Sequence, residues 1–226
     1  MISEAELAYA QRAFPWTCSQ EIPGGSLLGY GPRWPVIDPR LAKAVEAGIR
    51  FEGSRVLEAG CCDGHVTVGL CKFGAMVTSF DARLVNVLKT TIRTAAWGFT
   101  PCVKHMDASQ ITELGRFDIL VHFGVLYHLP EPAAHLRLLG QVSDFVLLDT
   151  HTAIPGEPLV DEHGCQGHGW PEDCDSPLGG MQSRSFWLTR DSLFHACSTA
   201  GFDATVLNEN DAAPHGPRSI LLLRRR

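Results

Sequence analysis

The chain has 226 residues, of which 45% are hydrophobic and 19% charged, with a formal net charge of -6. That is ample material for one sizeable core, which excludes a disordered chain, and the acidic balance argues against a polyanionic partner, since nucleic-acid binding draws on clustered lysine and arginine. No apolar run reaches a membrane span, residues 1–10 lack the basic start and apolar stretch of a secretion signal, and the eight cysteines form no CxxC pair, so a cytoplasmic protein with reduced thiols and no membrane contact is expected.

Taken in chain order, Ser3-Glu4-Ala5-Glu6 is a capping box that opens a short helix toward Phe14. Prolines and glycines from Pro15 to Pro35 then predict loop. Asp38-Pro39 starts a second helix that stops at Gly48. Residues 1–50 therefore form a helical and loop extension and a lid candidate, with Trp16 on it. From residue 54 short apolar strands alternate with helical segments. The strands are Arg55–Ala59, Met76–Phe80, Cys102–Met106, Phe117–Phe123 and Phe145–Asp149. The helices are Val66–Phe73, Leu84–Trp97, Ala133–Val142 and Asp191–Ala200. This alternation predicts an α/β fold, a three-layer αβα sandwich around a parallel sheet. Ala204–Asn208 and Ser219–Leu223 have no helix between them and predict an antiparallel hairpin at the sheet's end. Residues 151–185, rich in Gly, Pro, His and Asp, read as a long insertion loop over the substrate site. The basic end Arg224-Arg225-Arg226 reads as a solvated terminus.

Ligands of open α/β sheets bind beyond the carboxyl ends of the strands. There the five strands deliver Glu58, Gly60, Asp63 and Gly64; then Asp81; then Asp107 and Ala108; then His122, Gly124, Tyr127 and His128; then Asp149 and His151. A dinucleotide fingerprint needs GxGxxG at the first turn. The turn here is Gly60-Cys61-Cys62-Asp63-Gly64, with the wrong spacing and an aspartate where phosphates would lie. Asp63 repels a pyrophosphate but suits a ligand with a cationic end, and Glu58 lies close by. Asp81 is placed to accept both ribose hydroxyls, or to cap the next helix. Asp107 is placed to accept an adenine amino group. An adenosine without phosphates and with a positive far end describes S-adenosylmethionine.

Val56–His65, Phe80-Asp81, Met106-Asp107-Ala108 and Phe117–Pro130 together resemble the successive motifs of class I S-adenosylmethionine-dependent methyltransferases. The resemblance covers residues 54–224 and implies a Rossmann-like, mostly parallel seven-stranded sheet with an antiparallel last strand, so that residues 51–226 form the methyltransferase domain. Gly124-Val125-Leu126-Tyr127-His128 and Phe186-Trp187-Leu188-Thr189 are similar to a subgroup that includes tRNA wobble-uridine carboxymethyl transferases and many natural-product methyltransferases. The family's first motif usually has glycine where this chain has Cys62. The resemblance implies cofactor contacts from Glu58, Gly60, Cys61, Gly64, Asp81, Ala82, Asp107, Ala108, His122 and Phe123, with His122 acting through its backbone.

Methyl transfer to a hydroxyl or an acidic carbon needs a base, and histidine titrates near neutrality. His128 and His151 follow adjacent strands and are the candidates; each also reads as a structural histidine. Tyr127 is placed to position the acceptor, to meet the sulfonium with its ring face, or to fill core. His163, Cys165, His168 and Cys174 are zinc-ligand types, but their spacing matches no zinc site, so no metal is expected and a polar lid carrying Trp170 is the favoured reading. The function these readings support is methyl transfer from S-adenosylmethionine to a small-molecule acceptor of natural-product type, in a monomer or homodimer. A tRNA or other nucleic-acid acceptor, a non-catalytic cofactor-binding module and a nicotinamide dehydrogenase are the alternatives.

Overall fold

A computed structural model describes residues 2–226 and divides into two compact units, one ending at Ala108 and one beginning at Ser109. In the first unit α1 (Glu4–Ala13) starts at the predicted capping box: the Ser3 hydroxyl accepts from the Glu6 N–H, and the Glu6 carboxylate accepts from the Ser3 N–H. The stretch expected to be loop contains a small sheet of β1 (Ser19–Glu21), β2 (Leu27–Leu28) and β3 (Arg33–Trp34) in the order β2-β1-β3. Two of these strands have only two residues, too short to carry a periodic signal. α2 (Pro39–Glu46) is capped by the Asp38 carboxylate, which accepts from the Arg40 N–H at 2.8 Å. Then follow β4 (Arg55–Ala59), α3 (His65–Lys72), β5 (Met76–Asp81), α4 (Leu84–Ala96) and β6 (Cys102–His105). β4, β5 and β6 pair in parallel, so their carboxyl ends share one edge. Ala10, Trp16, Ile22 and Leu28 form one apolar cluster with Ile92 and Ala96 of α4, which seats the N-terminal segment on that helix.

The second unit holds β7 (Ile119–Phe123), α5 (Pro132–Val142) and β8 (Phe145–His151). Next come β9 (Val160–Glu162), β10 (Cys165–Pro171), β11 (Arg184–Leu188), α6 (Arg190–Thr199), β12 (Phe202–Asn210) and β13 (Arg218–Arg225). β7 and β8 are parallel, and β13 runs antiparallel to both β8 and β12, which is the predicted terminal hairpin. The long loop expected over residues 151–185 is corrected: β9, β10 and β11 form an antiparallel sheet in the order β11-β10-β9. β10 reads Cys-Gln-Gly-His-Gly-Trp-Pro and has no β-branched residue; pairing on both sides makes it a strand, not its own propensity.

Seven strands form the main sheet in the order β12-β13-β8-β7-β4-β5-β6. The fold class is the expected α/β, with a mostly parallel seven-stranded sheet and an antiparallel last strand. Buried Val56, Leu57 and Leu70 fill the first unit's core; Leu120, Val121, Leu147, Leu148 and Leu221 fill the second's. Among the described residues no helix is long and apolar enough to cross a membrane.

Candidate functional site

In the first unit β4 runs into the turn Gly60–Gly64 and then into α3. Gly60, Cys62 and Gly64 have φ of +72°, +49° and +79°. A side chain in this left-handed region costs about 1 kcal/mol, which is why glycine suits the position that Cys62 fills. The Cys62 N–H donates to Asp81 Oδ2 at 2.9 Å, and its carbonyl accepts from Thr90 Oγ1 at 3.2 Å. A Cβ on Gly64 would lie 2.7 Å from the Thr90 Cα, so the turn is pressed against α4 with no room for a side chain. Cys61 is buried.

Asp81 closes β5. Its Oδ1 accepts from the Arg83 N–H at 2.9 Å and from Asn86 Nδ2 at 3.1 Å, so it fixes the entry to α4, while Oδ2, with one donor from the turn, keeps a second lone pair. The N-cap of α4 is Arg83, not Asp81, so the capping reading is corrected: Asp81 sits two residues earlier and holds the N-cap residue's N–H. The Ala82 carbonyl meets His105 Nε2 at 3.0 Å, and the Met106 N–H donates to the Asp81 carbonyl at 3.1 Å. After β6 come half-buried Asp107 and buried Ala108. The turn, a carboxylate with acceptor capacity at the end of β5, and Asp107 after β6 all follow the carboxyl ends of parallel strands.

The expectation for Asp63 is corrected here. Asp63 does not face a ligand's cationic end. Its carboxylate is fully buried against Lys89 Nζ and lies 4.0 Å from Arg93 Nη2, with both cations fully buried as well. It also accepts the Thr17 and Cys18 N–H groups at 2.6 and 2.9 Å, so it fastens the N-terminal segment to the turn. Burial pushes its carboxyl up, but Lys89 and these N–H groups outweigh that and hold it below the usual range. Glu58 is only 2% exposed and turned inward, where it accepts from Thr67 Oγ1 at 2.5 Å and Ser79 Oγ at 2.7 Å. Burial pushes its carboxyl up to about 7 against those two hydroxyls. Glu58 therefore braces the turn from beneath. Trp16, the lid candidate, lies over the Arg93 guanidinium, 4.9 Å from its ring centroid, and donates to the Ala10 carbonyl within the same unit.

In the second unit His122 ends inside the core, its Nε2 2.9 Å from His135 Nε2 of α5, and Phe123 beside it is buried. Burial, then the neighbouring His135, pushes His122 well below its usual value, so its side chain is a neutral core group. A 3-10 turn over Leu126–His128 then brings up Tyr127 and His128. The Tyr127 ring centroid lies 4.2 Å from His128, 4.7 Å from His151 and 5.5 Å from Trp187. His128 Nδ1 is 2.9 Å from Glu172 Oε1. A carboxylate only accepts, so the proton sits on Nδ1 and Nε2 carries the lone pair. The structure thus brings Tyr127, His128 and His151 together.

His151 is held differently from His128. Its Nδ1 donates toward the Gly216 and Pro217 carbonyls at 3.1 and 3.2 Å, and its Nε2 is 3.3 Å from Arg218 Nη1. Arg218 also clamps fully buried Asp149 through two bonds of 2.7 and 2.6 Å. Burial and the Arg218 charge push the His151 pKa down. With its lone pair engaged and a cation alongside, this imidazole is a poor proton acceptor. Glu172, Arg218 and Trp187 were not singled out as site residues from sequence. Only the polar composition around residue 172 hinted at the first of them.

Among the described residues no group of three or more His, Cys, Asp and Glu side chains is placed to hold a metal ion. Of the four zinc-type residues, Cys165 is buried in β10, His168 Nδ1 bonds the Pro158 carbonyl at 3.0 Å, and His163 occupies the β9–β10 turn with φ of +54°. Trp170 packs on Trp187, their centroids 5.7 Å apart.

Comparison with known proteins points the same way. A family model described as a methyltransferase domain matches residues 36–206. A curated relative, ubiquinone biosynthesis O-methyltransferase of Cereibacter sphaeroides, is 29% identical over 93 residues, 41% of this chain and 38% of the relative. The enzyme of the same name from Xanthomonas oryzae is 28% identical over 116 residues, 50% of this chain and 48% of the relative. The chain thus spans less than half the length of these curated relatives. Among solved structures, the N-terminal domain of EvdMO1 with SAH bound has a TM-score of 0.82 at 26% identity, covering 100% of this chain and 98% of that one. The same domain has been crystallised in the presence of SAH and D-fucose. The magnesium protoporphyrin IX methyltransferase of Synechocystis, at 17% identity and a TM-score of 0.59 over 82% of this chain and 76% of its own, shares the fold.

Proposed function

The chain belongs to the methyltransferase domain family, and on that footing we propose that it moves a methyl group from S-adenosylmethionine to a hydroxyl of a small-molecule acceptor, with His128 as the base. The observation that carries this reading is the His128 geometry: an imidazole with Nδ1 bonded to a carboxylate and Nε2 left to accept a proton, on the turn that follows β7. The likeness to a domain crystallised with SAH, and with D-fucose present, supports both the cofactor and a hydroxyl-bearing acceptor. The curated relatives are named O-methyltransferases, which supports the same acceptor atom.

When bound, S-adenosylmethionine supplies a methyl group on a positively charged sulfur, whose bond to carbon breaks with the electron pair staying on sulfur. This chain's residues do the rest. Asp81, through the free lone pair of Oδ2, accepts from the ribose, and the Gly60–Gly64 backbone gives close approach to the nucleoside. Glu58, Cys61, Ala82, Asp107, Ala108, His122 and Phe123 remain the further cofactor residues of this reading, His122 through its backbone; Asp63 supports the turn. Tyr127 presents a ring beside His128 that holds the acceptor in place. His128 Nε2 takes the hydroxyl proton while the oxygen gains the methyl, and the imidazolium returns the proton to solvent. Holding the reacting groups aligned is worth on the order of 7 kcal/mol or more in such a displacement.

The test supplies methyl-labelled S-adenosylmethionine and fractionated cell extract to the wild type and to His128→Asn. Label in small molecules, reduced about 100-fold or more in the variant, is the expected result. Label confined to RNA overturns the acceptor class, and an unimpaired His128→Asn overturns the base.

A further inference from the structure

We propose that Glu172 is the positioning residue of His128, so that the segment between β10 and β11 sets the strength and tautomer of the base. The proposal rests on the reading of His128 as base and goes beyond it, because it adds a residue from a distant segment of the chain to the site.

Three contacts point to it. Glu172 Oε1 meets His128 Nδ1 at 2.9 Å, although the two residues are 44 positions apart. The other oxygen, Oε2, accepts from the Gly180 N–H at 2.7 Å, so the carboxylate cannot swing freely. A Cβ on Gly180 would lie 2.9 Å from the His128 carbonyl oxygen and 3.3 Å from both the Glu172 Cδ and the His128 Cβ. Glycine is therefore required where the returning segment closes around the pair. The backbone secures the same arrangement: the Glu172 N–H donates to the Ser183 carbonyl at 3.0 Å, and the Phe186 N–H to the Leu129 carbonyl at 3.0 Å, one residue past His128.

The electrostatics agree with the geometry. Burial pushes the Glu172 carboxyl up, but the Gly180 N–H and His128 more than reverse it and hold it below the usual carboxylate range. Glu172 is thus ionised wherever His128 is needed as a base. Tyr127, which contacts the His128 ring, also contacts His151 of β8 and the guanidinium of Arg218 of β13, which is paired to Asp149. Arg218 is neutralised by Asp149, so Glu172 is the anion that favours the imidazolium formed when Nε2 accepts the hydroxyl proton. It also keeps the Nδ1 proton in place, which leaves Nε2 as the accepting atom.

The experiment uses the full chain loaded with S-adenosylhomocysteine. Imidazole nitrogen NMR reports which His128 nitrogen carries the proton in the wild type, Glu172→Gln and Glu172→Asp. Glu172→Gln removes the charge, and its amide can donate to Nδ1 as well as accept from it. We expect the neutral ring to be protonated on Nδ1 in the wild type, to lose that preference in Glu172→Gln and to regain most of it in Glu172→Asp. kcat should fall about 10-fold or more in Glu172→Gln with KM little changed. Gly180→Ala, which forces the pair apart without touching either charge, should reproduce part of the tautomer change and serves if Glu172→Gln does not fold. An unchanged His128 tautomer in both Glu172→Gln and Gly180→Ala overturns the proposal. Failure of the base reading is separable: His128→Asn would then keep full activity while the tautomer change persists.

Discussion

Glu58 lies 2% exposed beneath the turn after β4, with two hydroxyls as its partners. Burial takes its carboxyl from 4.5 up to about 7. The folded state then holds a proton that the unfolded chain has already released. Its stabilising share is complete below pH 4.5 and is lost as the pH rises through about 7. The difference amounts to about 3 kcal/mol, since each pKa unit corresponds to about 1.4 kcal/mol. Glu58→Gln cannot ionise, so urea unfolding should show the variant gaining on the wild type by up to that amount between pH 4.5 and about 8. Parallel pH profiles for the two proteins would refute this. Cys62, on the same turn, shows how a sequence departure is absorbed. The left-handed backbone that glycine usually supplies is kept, held by the Asp81 carboxylate and the Thr90 hydroxyl.

At the scale of elements, the N-terminal segment is fastened to the glycine turn and α4 by one carboxylate. Asp63 joins Lys89, lies near Arg93 and accepts from two backbone N–H groups of residues 17 and 18. Lys89 also donates to the Pro15 carbonyl at 3.2 Å, and Arg93 to the Cys18 carbonyl at 3.1 Å. Asp63→Asn would leave two buried cations without a counter-charge, which costs about 3–5 kcal/mol. The expected outcome is a loss of that size in chemical unfolding, together with faster native-state proteolysis within residues 10–35 than elsewhere. Stability within about 1 kcal/mol of wild type would show that the ion pair is not what holds the segment. In the second unit Arg218 plays the comparable part for Asp149, and in doing so it engages the one lone pair that His151 would need as a base.

At the scale of the whole molecule, the last strand of the chain sits inside the sheet. β13 pairs with β8 on one side and β12 on the other, and Ser219 to Leu223 are all buried. A chain stopped before Arg218 would leave β8 paired on one side only, lose four buried aliphatic side chains of residues 220–223 and take Arg218 from Asp149. Each buried aliphatic side chain contributes roughly 1.5–3 kcal/mol, so the loss approaches the stability of a typical domain. Such a truncated chain should be insoluble or lack a cooperative unfolding transition by circular dichroism. A soluble product with a cooperative melt would overturn this. The same topology delays folding until the C-terminal residues are available, because the central pairings are non-local.

The sequence by itself determined whatever depends on neighbours along the chain. Apolar runs and helix caps placed the strands and helices of the main sheet within a few residues, because period and capping are local properties. The order of acids and histidines at strand ends is likewise legible along the chain, and it is what suggests a candidate site, since ligands of such sheets bind beyond the strands' carboxyl ends. Only the tertiary structure decided what each polar group does there. Asp63 was read as facing a ligand and instead meets a lysine of α4; Glu58 is turned into the core; and His151 gives its lone pair to Arg218, 67 positions away. Glu172 finds His128 across 44 positions, from a stretch whose glycines and prolines read as loop. No period links residues so far apart. Their partnership comes from burial, which leaves a charged or polar side chain to take the nearest complementary group the fold brings to it.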